Sequence, residues 1–365
     1  MTAMLEQTVT TDQALDAGRS EAITQKMIDV INHAGLALML SLGHRTGLLD
    51  AMAQLNWTES RELARAAGLN ERYVREWLGC MSTGGIVDIS PDGKRYRLPP
   101  EHAAVLTRAA SPNNMATTAQ WIAVLGSVED HVTEAFRHGR GVPYDAYHGF
   151  NRVMSEESLQ TTVAGLEPHI LPLVPDVQRK LAAGGRVADV GCGAGLALLE
   201  MARLYPRSHF TGIDFLEDSI ALARAEAARR GITNVQFQAR DAAQWREPNT
   251  YDLITTFDAV HDQASPATVL ENIAVSLKPN GTYLMQDIAG TSHHHSDREL
   301  PLGPFTYAVS TMHCMSVSLA YNGAGLGAAW GKETAQRMLR EAGFNEVTLK
   351  QLPHDVINYY YICRK

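Results

Sequence analysis

Cysteine is scarce in this chain: four among 365 residues, Cys80, Cys192, Cys314 and Cys363, far apart and with no C-x-x-C pair. That spacing argues against a disulfide framework and a zinc knuckle, and points to a reduced, cytoplasmic protein. Basic charge is not in excess either. Lys and Arg number 32 against 40 Asp and Glu, a net charge of −8, so nothing favours a nucleic acid or other polyanion as partner. Long apolar runs are missing: residues 34–42, the most apolar early stretch, are far too short to span a bilayer. Residues 1–11 carry Glu6 and no basic segment, so neither a targeting signal nor a membrane partner is expected. Three successive histidines, 293–295, cannot all face one ion from regular structure, and with Asp297 the only near acid they read as surface loop; no metal site is expected. What remains is a chain long enough for two domains, each with ample core.

The most informative residues are Val187-Ala-Asp-Val-Gly-Cys-Gly-Ala-Gly195. An apolar run ending in an acid, then three alternate glycines, is how a buried strand turns into a helix while its backbone approaches a ligand closely. Dinucleotide binders need G-x-G-x-x-G, and this chain does not supply it: Asp189, Gly191, Gly193 and Gly195 are followed by Leu196. Nineteen residues past Gly195 the strand-like His209-Phe-Thr-Gly-Ile-Asp214 ends in a second carboxylate, placed to accept both hydrogen bonds of a ribose diol. Further strands are expected at 235–238, before Arg240-Asp241-Ala242; at 251–257, running into Asp258-Ala-Val-His261-Asp262; and at 282–287, after a turn at Lys278-Pro-Asn-Gly281. A helix over 333–342 and strands over 347–352 and 358–363 close the chain.

In this order the D-x-G-x-G-x-G stretch and the acids after it resemble class I S-adenosylmethionine (SAM)-dependent methyltransferases. The resemblance implies an α/β fold, a Rossmann-like seven-stranded sheet, parallel with an antiparallel last strand, over residues 181–365. It implies SAM as cofactor, held by Asp189, Gly191, Gly193, Gly195, Asp214, Phe215, Asp241, Ala242 and Phe257, with Asp241 facing the adenine amino group. Val260-His261-Asp262 resembles the H-D-W segment of plant-type O-methyltransferases, with Gln263 in place of the tryptophan. That implies His261 as base, with Asp262 beside it.

Ahead of this core, apolar residues Ile23, Met27, Val30, Ile31, Ala34, Leu38 and Leu42 recur at helical spacing between Glu21 and Ala53. A helix over 58–68, capped by Thr58 and closed by Gly68, a second over 70–81 and a hairpin over 86–98 give a winged-helix pattern. Such a domain most simply suggests DNA binding. Yet residues 58–108 hold eight basic and seven acidic side chains, and a DNA reader should show a basic footprint. The same module precedes the catalytic domain of small-molecule O-methyltransferases, and it also resembles the winged-helix methyltransferases of actinobacteria and the S-methyltransferases of dimethylsulfoniopropionate synthesis, which act on a methylthio-hydroxy acid. The resemblance implies a homodimer through this domain.

The expected organisation is therefore a loose N-terminus over 1–20, a winged-helix dimerisation domain over 21–108, a helical connector covering the acceptor site over 109–180, and the SAM domain with a lid at 289–331. A long helix is expected through Met154, Leu159, Val163 and Leu166. Candidate acceptor contacts are Trp121, Tyr144, Tyr147 and His148 of the connector and Tyr307, His313 and Cys314 of the lid. The expected activity is methyl transfer to oxygen or sulfur of a small molecule. A regulator that senses SAM and binds DNA is the competing class.

Overall fold

The structure, a computed structural model, describes residues 15–365. The expected loose N-terminus lies outside the described residues as far as residue 14; residues 17–20 already belong to a helix, because the Asp16 side chain accepts the Arg19 N–H at 3.0 Å and caps it. That helix, α1 (Ala17–Thr46), ends at left-handed Gly47, and α2 (Leu48–Ala53) follows.

Helices α3 (Ser60–Ala67) and α4 (Glu71–Thr83) and the antiparallel strands β1 (Asp88–Ile89) and β2 (Tyr96–Arg97) complete a winged helix-turn-helix, closed by α5 (Pro100–Leu106). Its core centres on Leu49, Leu63, Leu78 and Met81. Thr58 does not cap α3 as expected. Its N–H and carbonyl pair with Tyr96 at 2.9 and 2.8 Å, a single antiparallel bridge to the wing, and Glu59 takes the cap position.

The connector comprises α6 (Met115–Thr118), α7 (Gln120–Gly126), α8 (Glu129–His138) and α9 (Phe150–Ser158). The expected long helix beyond α9 is interrupted by wide π-helical turns at Leu159–Val163 and Leu166–Ile170. Pro168, which has no N–H to give, lies in the second of them.

The C-terminal domain runs α10 (Pro175–Ala183), β3 (Arg186–Val190), α11 (Leu196–Leu204), β4 (His209–Asp214), α12 (Glu217–Arg230), β5 (Val235–Ala239), β6 (Tyr251–Phe257), α13 (Pro266–Ser276) and β7 (Leu277–Ile288). Four helical pieces follow: α14 (His294–Asp297), α15 (Gly303–Val309), the π-helical Ser310–Cys314 and α16 (Met315–Ala320). Then come α17 (Gly331–Glu341), β8 (Glu346–Leu352) and β9 (Asp355–Arg364). The sheet order is β5-β4-β3-β6-β7-β9-β8, parallel up to β7, with β9 antiparallel to both β7 and β8. One apolar cluster covers each face, including Trp245, Tyr283 and Leu339 on one side and Leu198, Phe210 and Ile220 on the other, so the strands read as continuous apolar runs. Lys278-Pro-Asn-Gly281, the expected turn, is looped out of β7, whose register steps from Tyr251–Leu277 to Leu253–Thr282. The triple histidine is exposed, as expected, but only His293 is loop: it precedes α14, and His294 and His295 open that short helix. No group of three or more His, Cys, Asp or Glu among the described residues could hold a metal ion, and none of their helices is long and apolar enough to cross a membrane.

Candidate active site

A strand order that reverses between β3 and β6 leaves a crevice at the strands' carboxyl ends. A cavity of about 250 Å³ occupies it, roofed by α9, α15 and the Ser310–Cys314 turn. On the β3–β4 side, Gly191 turns left-handed at φ +74°, and a Cβ there would stand 2.5 Å from that of Ala259. Gly193, at φ +51°, lines the cavity and a Cβ on it meets nothing within 4 Å, so that atom would fill space left for a ligand. Asp214 stands at the end of β4, its carboxylate accepting the N–H groups of Gly193 and Leu216, each at 2.9 Å. A carboxylate has about four acceptor sites, so two remain for a diol. Burial holds its pKa above the ordinary carboxylate value against those two donors. Asp189 is fully enclosed and accepts the Thr255 hydroxyl at 2.7 Å; burial pushes its pKa up to about 7.

Phe215, Ala242 and Phe257 line the cavity as expected. Gly195 and Asp241 do not. A Cβ on Gly195 would fall 2.5 Å from the Phe237 ring, so that glycine lets α11 start against the sheet. Asp241 is exposed and accepts the Ala243 N–H at 2.8 Å, closing its own turn, while its neighbours Arg240 and Ala242 reach the cavity.

On the β6–β7 side, His261 is buried and its Nδ1 lies 2.7 Å from Oδ1 of Asp287, the fully buried acid near the end of β7. The same oxygen accepts the Trp330 indole N–H at 2.9 Å, which fixes the carboxylate. Burial opposes a charged imidazole, but the Asp287 carboxylate and the Cys314 thiol outweigh it and hold the His261 pKa well above the ordinary histidine value. Asp262 accepts the Tyr144 hydroxyl at 2.5 Å, and burial lifts its pKa to about 6.

Of the expected acceptor contacts, Trp121, Tyr144, His313 and Cys314 line the cavity. His313 stacks on Phe150 with ring centroids 4.6 Å apart, and burial and the charge of His261 bring its pKa down to about 3, so it is neutral. The other three do not reach it. Tyr147 is buried behind this layer with its hydroxyl given to the Met312 carbonyl at 2.7 Å; His148 is exposed; Tyr307 gives its hydroxyl to Asp297 at 2.6 Å and so ties α15 to α14. Asp287 and Trp330 were not anticipated, although an acid ending the apolar run 282–287 at the sheet's carboxyl edge was a readable signal.

Comparison with known proteins accords with this geometry. Residues 181–343 match the model of a methyltransferase domain, and residues 34–108 that of an Rv2258c-like winged HTH domain. A ubiquinone biosynthesis O-methyltransferase of Aeromonas salmonicida is 33% identical over 107 residues, covering 29% of this chain and 44% of that protein. This chain spans about half the length of the curated relatives it matches. The solved structure of human N-acetylserotonin methyltransferase in complex with SAM superposes with a TM-score of 0.68 at 20% identity, covering 97% of this chain and 99% of that one. The mitomycin 7-O-methyltransferase MmcR superposes with a TM-score of 0.63 at 18% identity, covering 96% and 100%. The chain thus joins a winged helix-turn-helix domain to a methyltransferase domain. Its fold is that of the SAM-dependent methyltransferases, and SAM is the cofactor of that fold.

Proposed function

We propose that this protein transfers the methyl group of SAM to an oxygen of a small-molecule acceptor, with His261 as general base. The observation that carries the reading is the His261–Asp287 pair, oriented by Trp330 and set where the cavity leaves the glycine turn. Bound SAM supplies an electrophilic sulfonium methyl whose leaving group is already good. The chain's own task is then alignment and, for a hydroxyl acceptor, removal of one proton. Asp214 holds the ribose diol, Phe215, Ala242 and Phe257 pack the nucleoside, and Asp189 faces the cationic part of the cofactor. With Asp287 accepting at Nδ1, neutral His261 keeps its lone pair on Nε2, the nitrogen left to take the acceptor's proton, with the Cys314 thiol beside the ring. A cation bound in the same cavity lowers the His261 pKa, so cofactor binding itself favours the basic form. Asp262, tied to Tyr144, steadies the wall beside it. Incubation with methyl-labelled SAM and paired hydroxyl and thioether acceptors tests the reading; transfer to thioethers alone would overturn it.

The winged-helix domain fits chain pairing better than DNA. Three of its basic side chains are matched within the domain, Arg72 with Glu76 at 2.5 Å, Arg75 with Glu71 at 3.4 Å and Arg97 with Asp88 at 2.7 Å. Binding to a random duplex at physiological salt should be weaker than micromolar; micromolar affinity with a steep salt slope would favour a regulator. Meanwhile α1 exposes Ile23, Met27, Ile28, Val30 and Ile31, Ile31 by 71%, a stripe with the composition of a buried helix face. A second copy of this chain is the expected cover. Ile23→Asp with Ile31→Asp should turn a dimer into a monomer in sedimentation at micromolar concentration, and a monomeric wild type would end the idea.

A further inference from the structure

The cavity is lopsided in charge: six carboxylates, those of Glu157, Asp189, Asp214, Asp258, Asp262 and Asp355, face one guanidinium, Arg240, and the His261 imidazole. Two of them, Asp189 and Asp214, belong to the cofactor half under the preceding reading. Glu157, Asp258 and Asp355 do not sit on β3 or β4. Asp258 follows β6, Glu157 reaches in from α9, and Asp355 opens β9, whose Asn358 pairs with Ile288 at the end of β7. They converge on the acceptor side of the switch point.

Each of the three is held in place from behind. Glu157 accepts from Thr118 at 2.8 Å and from the Trp121 indole. Asp355 accepts from the Asn358 amide at 3.1 Å and the Tyr360 hydroxyl at 2.6 Å. Asp258 accepts from Gln286 at 3.2 Å through one oxygen, and its other oxygen is buried with no partner. It also adopts φ +51°, a conformation uncommon for a residue with a Cβ, which here presents its carboxylate at the end of β6. Asn358 adds an independent sign. It is 7% exposed, lines the cavity, and its Oδ1 has no partner although its amide nitrogen is engaged. A buried carbonyl oxygen left open beside three carboxylates asks for a hydrogen-bond donor, and one bearing positive charge meets every group present. The wall is aromatic as well: Trp121, Tyr144 and Phe150 line it and pack edge to face on one another.

We propose that the acceptor carries a protonated amine, received by Glu157, Asp258, Asp355 and the Asn358 carbonyl, while its hydroxyl is presented to His261. The inference rests on the methyl-transfer reading above and adds the acceptor's class. Burial, with Asp287, Asp355 and Glu157 close by, holds the Asp258 pKa well above the ordinary value, so its charged form is favoured once a cation arrives. A neutral phenol or an anionic acceptor would leave these groups facing one another.

Three probes share one phenol and differ in their tails: tyramine, tyrosol and 3-(4-hydroxyphenyl)propionate are cationic, neutral and anionic. In calorimetry on the full chain saturated with S-adenosylhomocysteine, tyramine should bind roughly 10- to 100-fold more tightly than tyrosol, and the propionate should not bind measurably. Asp258→Asn keeps the left-handed residue tolerable and, with Glu157→Gln, should erase most of that preference while S-adenosylhomocysteine still binds. Tyramine binding no better than tyrosol overturns the inference, as does a preference that survives both substitutions. A loss of S-adenosylhomocysteine affinity in the variants, with the tyramine preference intact, assigns these carboxylates to the cofactor and overturns it too. Wild-type protein that fails to bind S-adenosylhomocysteine fells the methyl-transfer reading, and the inference with it.

Discussion

Replacing His261 with alanine should lower turnover on a hydroxyl acceptor by about 10²- to 10⁴-fold, the range for removal of a general base. A neutral hydroxyl must lose its proton as the methyl arrives, and among the described residues the one other imidazole lining the cavity is His313, buried beside His261 with its pKa depressed to about 3. The wild-type rate should rise with pH as His261 loses its proton. Its folded pKa is raised, so that rise falls above the ordinary histidine value of ~6.5 before cofactor binding draws it down. In His261→Ala the inflection should vanish. Asp287→Asn should also be slow, because an amide can donate to Nδ1 and leave the proton on Nε2, the wrong atom. The stability consequence has a definite sign. With the folded pKa raised, the pair's contribution is fully present below the unfolded value of ~6.5 and is lost as pH rises through the folded one. A variant with unchanged turnover and the wild-type pH profile would remove His261 from the chemistry.

The core of the fold was legible because its signals are local. Asp189 with three alternate glycines, apolar strands spaced by one helix each, and acids at strand ends name both the sheet and the edge where ligands gather. The site was most legible where a residue's backbone position determines where it points; in the helical segments Trp121, Tyr144, His313 and Cys314 reach the cavity and other candidates do not. Asp214 and His261 stand just at or past strand ends, and they face the cavity. Tyr147, the extended residue after the short turn Tyr144–Ala146, and Tyr307 in α15 sit where a small rotation separates cavity from core, and each gave its hydroxyl elsewhere. Asp241 shows the same limit: as a turn residue its carboxylate found the nearest backbone N–H first. Asp287 went unassigned because its partner lies 26 residues earlier, and pairing across two strands follows from register, not from spacing. Asp258, Asp355 and Asn358 lacked any signature, since their meaning arises only when β9 returns antiparallel to β7 and brings its first residues to the same edge.

The second large effect is expected at Asp214. Asp214→Ala should cost roughly 2 to 4 kcal/mol of SAM affinity, a loss of about 30- to 1000-fold, because both ribose hydroxyls lose their acceptor inside a site that excludes water. The carboxylate has a second duty that separates this residue from a simple contact. It takes the Gly193 N–H at 2.9 Å and so holds the glycine turn in the shape that admits the cofactor. Asp214→Asn keeps one oxygen for a backbone N–H and gives up the other, so it should fall between wild type and alanine. Asp214→Glu retains the charge but displaces it by one methylene, and should bind little better than alanine. If the loss came from a disordered turn alone, Asn and Glu would both restore most of the affinity, since either can accept from Gly193. Calorimetry with S-adenosylhomocysteine on folded variants reads the order directly. Unchanged affinity in Asp214→Ala would take the residue out of the site, and tight NADH binding in place of SAM would overturn the cofactor assignment itself.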